Sequence, residues 1–242
     1  MKGDYWMKKV FLAIIILLVL SLALTVPLIS HFRNNENSLE NSLDESLEEF
    51  LPPAKVQVPS LYSTVDKNNN GVADPIDICN NAKDQLKKNI KYKDAYYVGG
   101  YPPEDEGVCT DVIWRSFKAL NIDLKTLMDN DIAKNIKDYS RVNGKPDPNI
   151  DFRRVVNQKV FFHKFLSSEV NFLDPNDIDN LSQWQPGDIL LFLKPYEHVG
   201  IISDERDDDG IPFVIHNSHP EMKYSKLSWF SSKEIFHYRW KY

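Results

Sequence analysis

Residues 184–193 read W-Q-P-G-D-I-L-L-F-L and residues 198–203 read H-V-G-I-I-S, and these two stretches decide the fold. In the first, a Pro-Gly-Asp turn leads into a continuous apolar run, which is typical of a buried strand. The second predicts another strand that starts with a histidine. An acidic turn at 204–210 precedes a third strand at 212–216, P-F-V-I-H, and 236–240 predicts a last strand. The C-terminal part is therefore predicted to be a meander of strands.

A helix is predicted upstream of these strands, beginning near Cys109. The apolar residues Ile113, Phe117 and Leu120 follow at helical spacing, and Gly107 stops the helix from extending backward. Because helical segments come first and strands follow, the order of elements predicts an α+β fold.

Length and composition limit the possible functions. The 242 residues are enough for one domain with a sizeable core, and 26% charged with 42% hydrophobic residues is an ordinary globular balance. The formal net charge of −6 leaves no basic stripe to neutralise phosphates, which argues against a nucleic-acid partner. Two cysteines, Cys79 and Cys109, are too few for a disulfide scaffold or a cysteine zinc site.

The N-terminal segment predicts a membrane anchor. Residues 10–29 are apolar and uncharged, and as a helix they would span about 30 Å, the thickness of the hydrocarbon core. Lys2, Lys8 and Lys9 precede this run, so residues 1–9 are expected in the cytoplasm and everything after the anchor outside it. A cleaved signal peptide is the rival interpretation. The run is long for one and no small-x-small cleavage site follows, which favours a single-pass protein of the cell membrane.

A stalk is predicted between the anchor and the folded domain. Residues 30–57 are rich in Asn, Ser and Glu and contain a Pro-Pro pair. Leucines recur there every four residues, so a short amphipathic helix is the alternative to a solvated tether. The tether is favoured, and the folded domain is expected to span 58–242.

The stretch D-K-N-N-N-G-V-A-D-P-I-D at 66–77 has the spacing of a calcium loop. Hard cations need a cage of oxygen atoms, and alternate residues of a tight loop supply one. The predicted ligands of a structural Ca²⁺, with Val72 contributing its carbonyl, are Asp66, Asn68, Asn70, Val72, Asp74 and Asp77. The final Asp in place of Glu resembles the calcium loops of dockerin modules. The alternative is an Asn/Gly turn that caps the following helix.

Cys109 is predicted to lie at or near a helix N-terminus, where the helix dipole favours the reactive thiolate. The acidic cluster at 104–106 acts in the opposite direction, because negative charge raises the pKa of a thiol. Taken alone, this cysteine is better interpreted as a buried structural residue than as a nucleophile.

Six motifs in order give the chain a specific resemblance. They are Y-x-G-G-Y-P at 97–102, G-V-C-T-D-V at 107–112, P-D-x-N-I-D-x-R-R-V at 146–155, P-G-D-I at 186–189, H-V-G-I-I-S-D at 198–204 and V-I-H-N at 214–217. This set resembles the NlpC/p60 superfamily of papain-like cysteine peptidases and, within it, the family of domains of unknown function numbered 1287. The resemblance covers roughly residues 64–240.

The resemblance implies a papain-like fold, with N-terminal helices packed on a small antiparallel sheet, and a Cys–His hydrolase. Cys109 matches the nucleophile, His198 the base that takes the thiol proton, and His216 the polar residue that orients the imidazole of His198. Tyr97 matches a tyrosine that lines the substrate cleft in relatives.

Arg153 and the two cysteines have competing interpretations. Arg153 belongs to a polar stretch before a predicted helix, and its guanidinium fork is suited to a substrate carboxylate. The favoured alternative is an ion-pair network that braces the loop. Outside the cytoplasm Cys79 and Cys109 could also form a disulfide, which would block the nucleophile.

The leading functional hypothesis is an amide hydrolase that acts on cell-wall peptide outside the cytoplasm. It combines the predicted anchor with the order Cys, His, His of the motifs. Two alternatives stay open. One is a cell-surface binding module that keeps the fold without turnover, and the other is a calcium-dependent structural protein supported by the loop at 66–77.

Overall fold

The computed structural model describes residues 55–230 and 234–242. The predicted cytoplasmic segment, the anchor at 10–29 and most of the stalk lie outside the described residues. Within the described part of the chain, no helix is long and apolar enough to cross a membrane. Residues Lys55–Tyr242 form one compact unit.

Helices dominate the first half of this unit and strands the second half. The helices are α1 (Asp74–Lys87), α2 (Cys109–Phe117), α3 (Leu124–Lys134), α4 (Val155–Phe165) and α5 (Ile178–Gln183). The strands are β1 (Lys91–Tyr92), β2 (Glu106–Gly107), β3 (Ser167–Ser168), β4 (Ile189–Phe192), β5 (His198–Arg206), β6 (Pro212–Ser218), β7 (Glu221–Lys226) and β8 (Ile235–Arg239). Short 3-10 helices lie at Lys118–Leu120, Ile136–Asp138, Ser140–Val142, Asp151–Arg153 and Leu227–Phe230. The predicted α+β class is confirmed.

The strands form one sheet that, within the described residues, has the order β2-β1-β7-β6-β5-β4-β8-β3. All of its neighbouring strands are antiparallel except β1 and β2, which run parallel. In the register, His198 lies opposite Phe192 and His216 lies opposite Lys223. The central strands β5 and β6 therefore bring two histidines that are distant in sequence to neighbouring strands.

Two hydrophobic clusters cover the two faces of the sheet. Val199, Ile201 and Ile215 belong to the first cluster, together with residues of α1 and α2, and Ile202 and Val214 belong to the second. Successive residues of a strand point to opposite faces, so one apolar run supplies both cores. Burial of each such side chain contributes about 1.5–3 kcal/mol. This explains why β4 and β5 lack polar alternation in sequence.

Helix α2 begins at Cys109 because the chain before it is held by a side chain within the helix. Asp111 Oδ2 accepts a hydrogen bond of 2.8 Å from the backbone N–H of Val108, the residue before the first helical turn. A Cβ on Gly107 would lie 2.9 Å from that same oxygen, so only glycine fits there. The predicted helix start at Cys109 is thereby observed, and Asp111 fixes it.

Candidate active site

His198 and His216 form a hydrogen-bonded pair on β5 and β6. His198 Nε2 lies 2.9 Å from His216 Nδ1, and His216 Nε2 lies 3.0 Å from the hydroxyl of Ser225 on β7. Both rings are buried. The structure therefore joins the two predicted histidines and adds Ser225, which sequence reasoning missed because a single serine on a polar strand gives no signal.

Aromatic side chains enclose the histidine pair. The Phe230 ring is stacked near His198 at a centroid distance of 6.5 Å and meets the edge of His216 at 5.5 Å. Phe192 and Tyr196 lie 5.5 Å and 6.0 Å from His198. Burial lowers the pKa of His198 to about 4. Burial, then the charges of His198 and Lys223, lower the pKa of His216 to about 3. Both imidazoles are therefore neutral at neutral pH.

Cys109 lies at the N-terminus of α2, the helix that packs on β5. It is 7% exposed, and the backbone N–H of Val199, the residue after His198, faces its thiol. The thiol belongs to the first hydrophobic cluster, whereas the ring of His198 contacts aromatic residues of the second.

The protonation state of Cys109 differs from the expectation based on the helix dipole. Burial is the main cause that raises the pKa of its thiol to about 12, and the Asp111 carboxylate raises it further. Backbone N–H groups of Val199 and of the helix start act in the opposite direction without offsetting burial. The resting form is therefore a neutral thiol. Cys79 and Cys109 are both buried free thiols, so the disulfide alternative is not the form observed.

Asp111 is the most heavily hydrogen-bonded side chain of the site. Its two oxygens accept from Val108 N, Trp114 Nε1, and Arg153 Nε and Nη2, at distances of 2.7–2.8 Å. Neither Asp111 nor Arg153 has a side chain more than 1% exposed. Sequence reasoning missed Asp111, although an Asp at the third helical position is a recognisable capping signal.

The guanidinium of Arg153 is fully engaged within the protein. Besides the pair with Asp111, its Nη1 donates a bond of 2.8 Å to the carbonyl of Ala95, and the Arg153 carbonyl accepts one of 2.9 Å from Thr110. Its Cζ lies 5.1 Å from the Tyr97 ring centroid. Arg153 and Tyr97, both predicted to contact substrate, are therefore neighbours, and Arg153 has the bracing geometry of the alternative interpretation.

Tyr97 and Tyr92 both have a raised pKa. The Tyr97 hydroxyl donates a bond of 2.6 Å to Glu106, and burial together with that carboxylate raises the pKa of Tyr97 to about 12. Tyr92, on β1, is half-buried, and burial and then the charge of Cys109 raise its pKa. No motif in the sequence had indicated Tyr92.

The motif loops at 95–101 and 147–153 hold each other. Asn149 accepts a bond of 2.7 Å from Gly99 N–H and donates one of 2.8 Å to the Tyr96 hydroxyl. Tyr96 in turn donates to Asp147 at 3.1 Å. These contacts join residues 95–101 and 147–153 into one wall beside Tyr97, although the two stretches are separate motifs in the sequence.

The predicted calcium ligands lie in the loop before α1 and in the first turn of that helix. Asp66 accepts bonds from the backbone N–H of Asn70 at 3.2 Å and of Gly71 at 2.8 Å. The amides of Asn68 and Asn70 both donate to Asp77 Oδ2, at 2.8 and 2.9 Å. The amide oxygens of Asn68 and Asn70 accept from the backbone N–H of Asn70 at 3.1 Å and of Val72 at 2.8 Å. Carboxylate and amide side chains are the residue types that Ca²⁺ prefers, but here their amide nitrogens, and not their amide oxygens, face Asp77. In the described part of the chain no group of three His, Cys, Asp or Glu side chains is placed to hold a metal.

Comparison with known proteins adds a family and two similar proteins. The family model described as "Domain of unknown function (DUF1287)" matches residues 79–240, a range that includes Cys109, His198 and His216. "Uncharacterized protein YijF" of Escherichia coli (strain K12) is 34% identical over 148 residues, which are 58% of this chain and 69% of that protein. The chain is also similar to the crystal structure of an N-acetylmuramoyl-L-alanine amidase from Bacteroides uniformis ATCC 8492. That match has 15% identity and a TM-score of 0.43 and covers 70% of this chain and 99% of that one.

Proposed function

The chain belongs to the family of domains of unknown function numbered 1287, and from the geometry of its site we propose that it is a thiol hydrolase with Cys109 as nucleophile and His198 as general base. The observation that carries the proposal is the bond of 2.9 Å between His198 and His216 at the strand end against which the Cys109 helix packs. Nucleophilic catalysis needs an imidazole oriented by a second polar group and a thiol within its reach. The His198–His216 pair supplies the first, and Cys109, at the N-terminus of a helix that packs on the same strand, is proposed to supply the second.

The neutral resting forms determine how the reaction starts. The raised pKa of Cys109 and the lowered pKa of His198 disfavour a preformed thiolate–imidazolium pair. Proton transfer to His198 Nδ1, the nitrogen that does not contact His216, therefore accompanies attack of sulfur on the carbonyl carbon. The mechanism requires this nitrogen to come within reach of the Cys109 sulfur.

The remaining steps use the proton that His198 has taken from the thiol. The tetrahedral oxyanion collapses, the C–N bond breaks, and imidazolium His198 gives its proton to the leaving amine. Water then attacks the thioester with His198 again as base, which releases a carboxylic acid and restores the thiol. The Cys109 backbone N–H, unpaired within the helix at its first turn, is the proposed donor to the oxyanion.

The proposed substrate is an amide bond of cell-wall peptide. Two arguments support this choice: the resemblance of the motifs to the NlpC/p60 superfamily of papain-like peptidases, and the predicted anchor, which would hold the domain on the outer side of the cell membrane. Tyr97 is proposed as part of the cleft wall. Arg153 is assigned to bracing, because substrate carboxylate binding would require its pair with Asp111 to break.

Digestion of purified peptidoglycan tests the proposal. Incubation with the purified protein is expected to release new amino termini, detected by mass spectrometry. Cys109→Ala is expected to abolish release, and His198→Gln to reduce it by about 10²–10⁴-fold, the usual range for general base catalysis. Cys79→Ala is the matched control and is expected to retain activity, because Cys79 contacts Asp204 at 3.5 Å and not the site.

Two other outcomes would favour the alternatives. A binding module would be favoured if peptidoglycan bound equally to wild-type protein and to Cys109→Ala and neither protein released a product. Partner binding that depends on Ca²⁺ and is unaffected by alkylation of Cys109 would favour a calcium-dependent structural protein. In either case the hydrolase proposal would be rejected.

Calcium binding at the loop 66–77 is also proposed, with a structural role. The loop oxygens of Asp66, Asn68, Asn70 and Asp77 would hold the ion, together with Asp74 and the Val72 carbonyl. Because Asp74 and Asp77 lie in the first turn of α1, the ion would fix the start of the helix that packs beside α2.

A further inference from the structure

Ser225 extends the histidine pair by one more hydrogen bond. Its Oγ lies 3.0 Å from His216 Nε2, and His216 Nδ1 lies 2.9 Å from His198 Nε2. The three residues lie on the adjacent strands β7, β6 and β5, and all are buried. A chain of two hydrogen bonds therefore runs across three strands and ends at the ring of His198.

The tautomers of the two rings are linked through this chain. A neutral imidazole has one N–H donor and one acceptor nitrogen, so a ring that accepts at Nδ1 must carry its proton on Nε2. If His198 Nε2 donates to His216 Nδ1, His216 Nε2 must donate to Ser225. If His216 Nδ1 donates instead, the His198 proton lies on Nδ1 and this nitrogen has no lone pair.

The reaction requires the first of these arrangements. During catalysis His198 becomes an imidazolium, in which both ring nitrogens are donors. His216 Nδ1 must then accept, His216 must carry its proton on Nε2, and the only hydrogen-bond acceptor that the structure shows at this nitrogen, among the described residues, is the Ser225 hydroxyl. Phe230 and Lys223, which also lie near His216, offer an aromatic ring and a cation, and neither has a lone pair that can accept the proton.

We propose that Ser225 is a positioning residue whose hydroxyl accepts a hydrogen bond from His216 Nε2–H. This bond holds His198 in the tautomer that acts as base, so the inference rests on the proposed function. The hydroxyl touches neither sulfur nor substrate. It acts through His216, because a buried N–H without an acceptor is unfavourable and the His216 proton would move to Nδ1 in its absence. His198 would then carry its own proton on the nitrogen that must take the thiol proton.

The test compares Ser225→Ala with Ser225→Thr in the full-length protein, with Cys79→Ala as background. Threonine keeps the hydroxyl and is well tolerated on strands, so it is the matched control. Two-bond ¹⁵N–¹H spectra of the histidine rings report which nitrogen of His216 is protonated. Alkylation of Cys109 by iodoacetamide reports whether His198 acts as base.

Wild type and Ser225→Thr are expected to have His216 protonated at Nε2 and to alkylate within about threefold of each other. Ser225→Ala is expected to move the His216 proton to Nδ1 and to slow alkylation by about tenfold or more. This is less than the full general-base effect of about 10²–10⁴-fold, because the His198 ring itself is retained. A wild-type His216 protonated at Nδ1, or unchanged spectra and rates in Ser225→Ala, would overturn the role of Ser225.

Failure of the proposed function has a different signature. Alkylation that is as fast in His198→Gln as in wild type would show that His198 does not activate the thiol, and the hydrolase proposal would fall. The histidine spectra of Ser225→Ala are read independently of that result. A shift of the His216 proton there would still establish that Ser225 sets the tautomer, and an unchanged spectrum would refute it.

Discussion

The carboxylate of Asp111 and the guanidinium of Arg153 form a fully buried pair with two hydrogen bonds of 2.8 Å, although the residues are 42 positions apart. Asp111 lies two residues after Cys109 and caps its helix, while Arg153 also binds the Ala95 carbonyl of the loop before Tyr97. One ion pair thus connects the nucleophile, the wall of the site and the segment before α4.

Removal of Arg153 tests this connection. Arg153→Leu is expected to lower the free energy of unfolding by about 3–5 kcal/mol, because the charge of Asp111 would be left buried and unpaired. The matched control is Arg141→Leu, which breaks the exposed pair with Glu197 and is expected to cost less than about 1 kcal/mol. Urea denaturation measures both, and equal effects would contradict the assignment.

Neutralisation of Asp111 is expected to change the reactivity of the thiol. Its charge is one of the causes that raise the pKa of Cys109, so Asp111→Asn is expected to lower that pKa. The measurement is the rate of Cys109 alkylation against pH in a Cys79→Ala background. The wild-type midpoint is expected well above the free-thiol value of about 8.5. A midpoint in Asp111→Asn that equals or exceeds that of wild type would refute the electrostatic role.

The histidine pair predicts a pH dependence of stability. The folded-state pKa values of His198 and His216, about 4 and about 3, lie below the ordinary value of 6.5. Between pH 6.5 and about 4 the unfolded chain binds more protons than the folded one, so stability is fully present above 6.5 and falls as pH decreases. The expected slope is about 1.4 kcal/mol per pH unit for each imidazole.

Urea denaturation at pH 7 and pH 5 measures that slope. His198→Gln removes one of the two titrating rings and is expected to reduce the loss of stability between these pH values. A slope that is identical in His198→Gln and wild type would show that the ring titrates normally in the folded protein.

Calcium is expected to raise the thermal unfolding temperature through the loop at 66–77. An ion that binds only the folded protein stabilises it by mass action, so the effect should grow with calcium concentration. Asp66→Ala removes a predicted ligand and is expected to abolish the shift. Lys67→Ala is the control, because its exposed side chain supplies no oxygen. An equal shift in both variants would place the ion elsewhere.

Alanine substitutions at two adjacent glycines in the wall of the site distinguish the cost of backbone strain from the cost of steric overlap. Gly99 and Gly100 have φ of +88° and +86°, so alanine is strained at both. A Cβ at Gly100 would lie 2.8 Å from the Phe152 ring and 3.0 Å from the Pro148 carbonyl, whereas a Cβ at Gly99 meets nothing within 4 Å. Gly100→Ala is expected to destabilise by about 1–3 kcal/mol more than Gly99→Ala, the usual cost of overpacking, as measured by urea denaturation.

Local features of this protein were predictable from the sequence. The apolar run after the Pro-Gly-Asp turn indicated β4, and the H-V-G-I-I-S stretch indicated β5, because burial on both faces of a strand requires such runs. The helical start at Cys109 was also predictable, because it depends only on local residues, namely Gly107 and the residues of the first turn. The resemblance to the family numbered 1287 depended on motifs of this short range and is confirmed by the family match.

The sequence by itself determined the α+β class, the helix that begins at Cys109 and the strands that carry the two histidines, because each depends on neighbours within a few residues. Only the tertiary structure decided that Arg153 pairs with Asp111, that Ser225 faces His216, and that the thiol of Cys109 is neutral at rest. The first two depend on which strands and loops become neighbours, which spacing does not encode. The third depends on burial, which outweighs the helix dipole and is a property of the packed core alone.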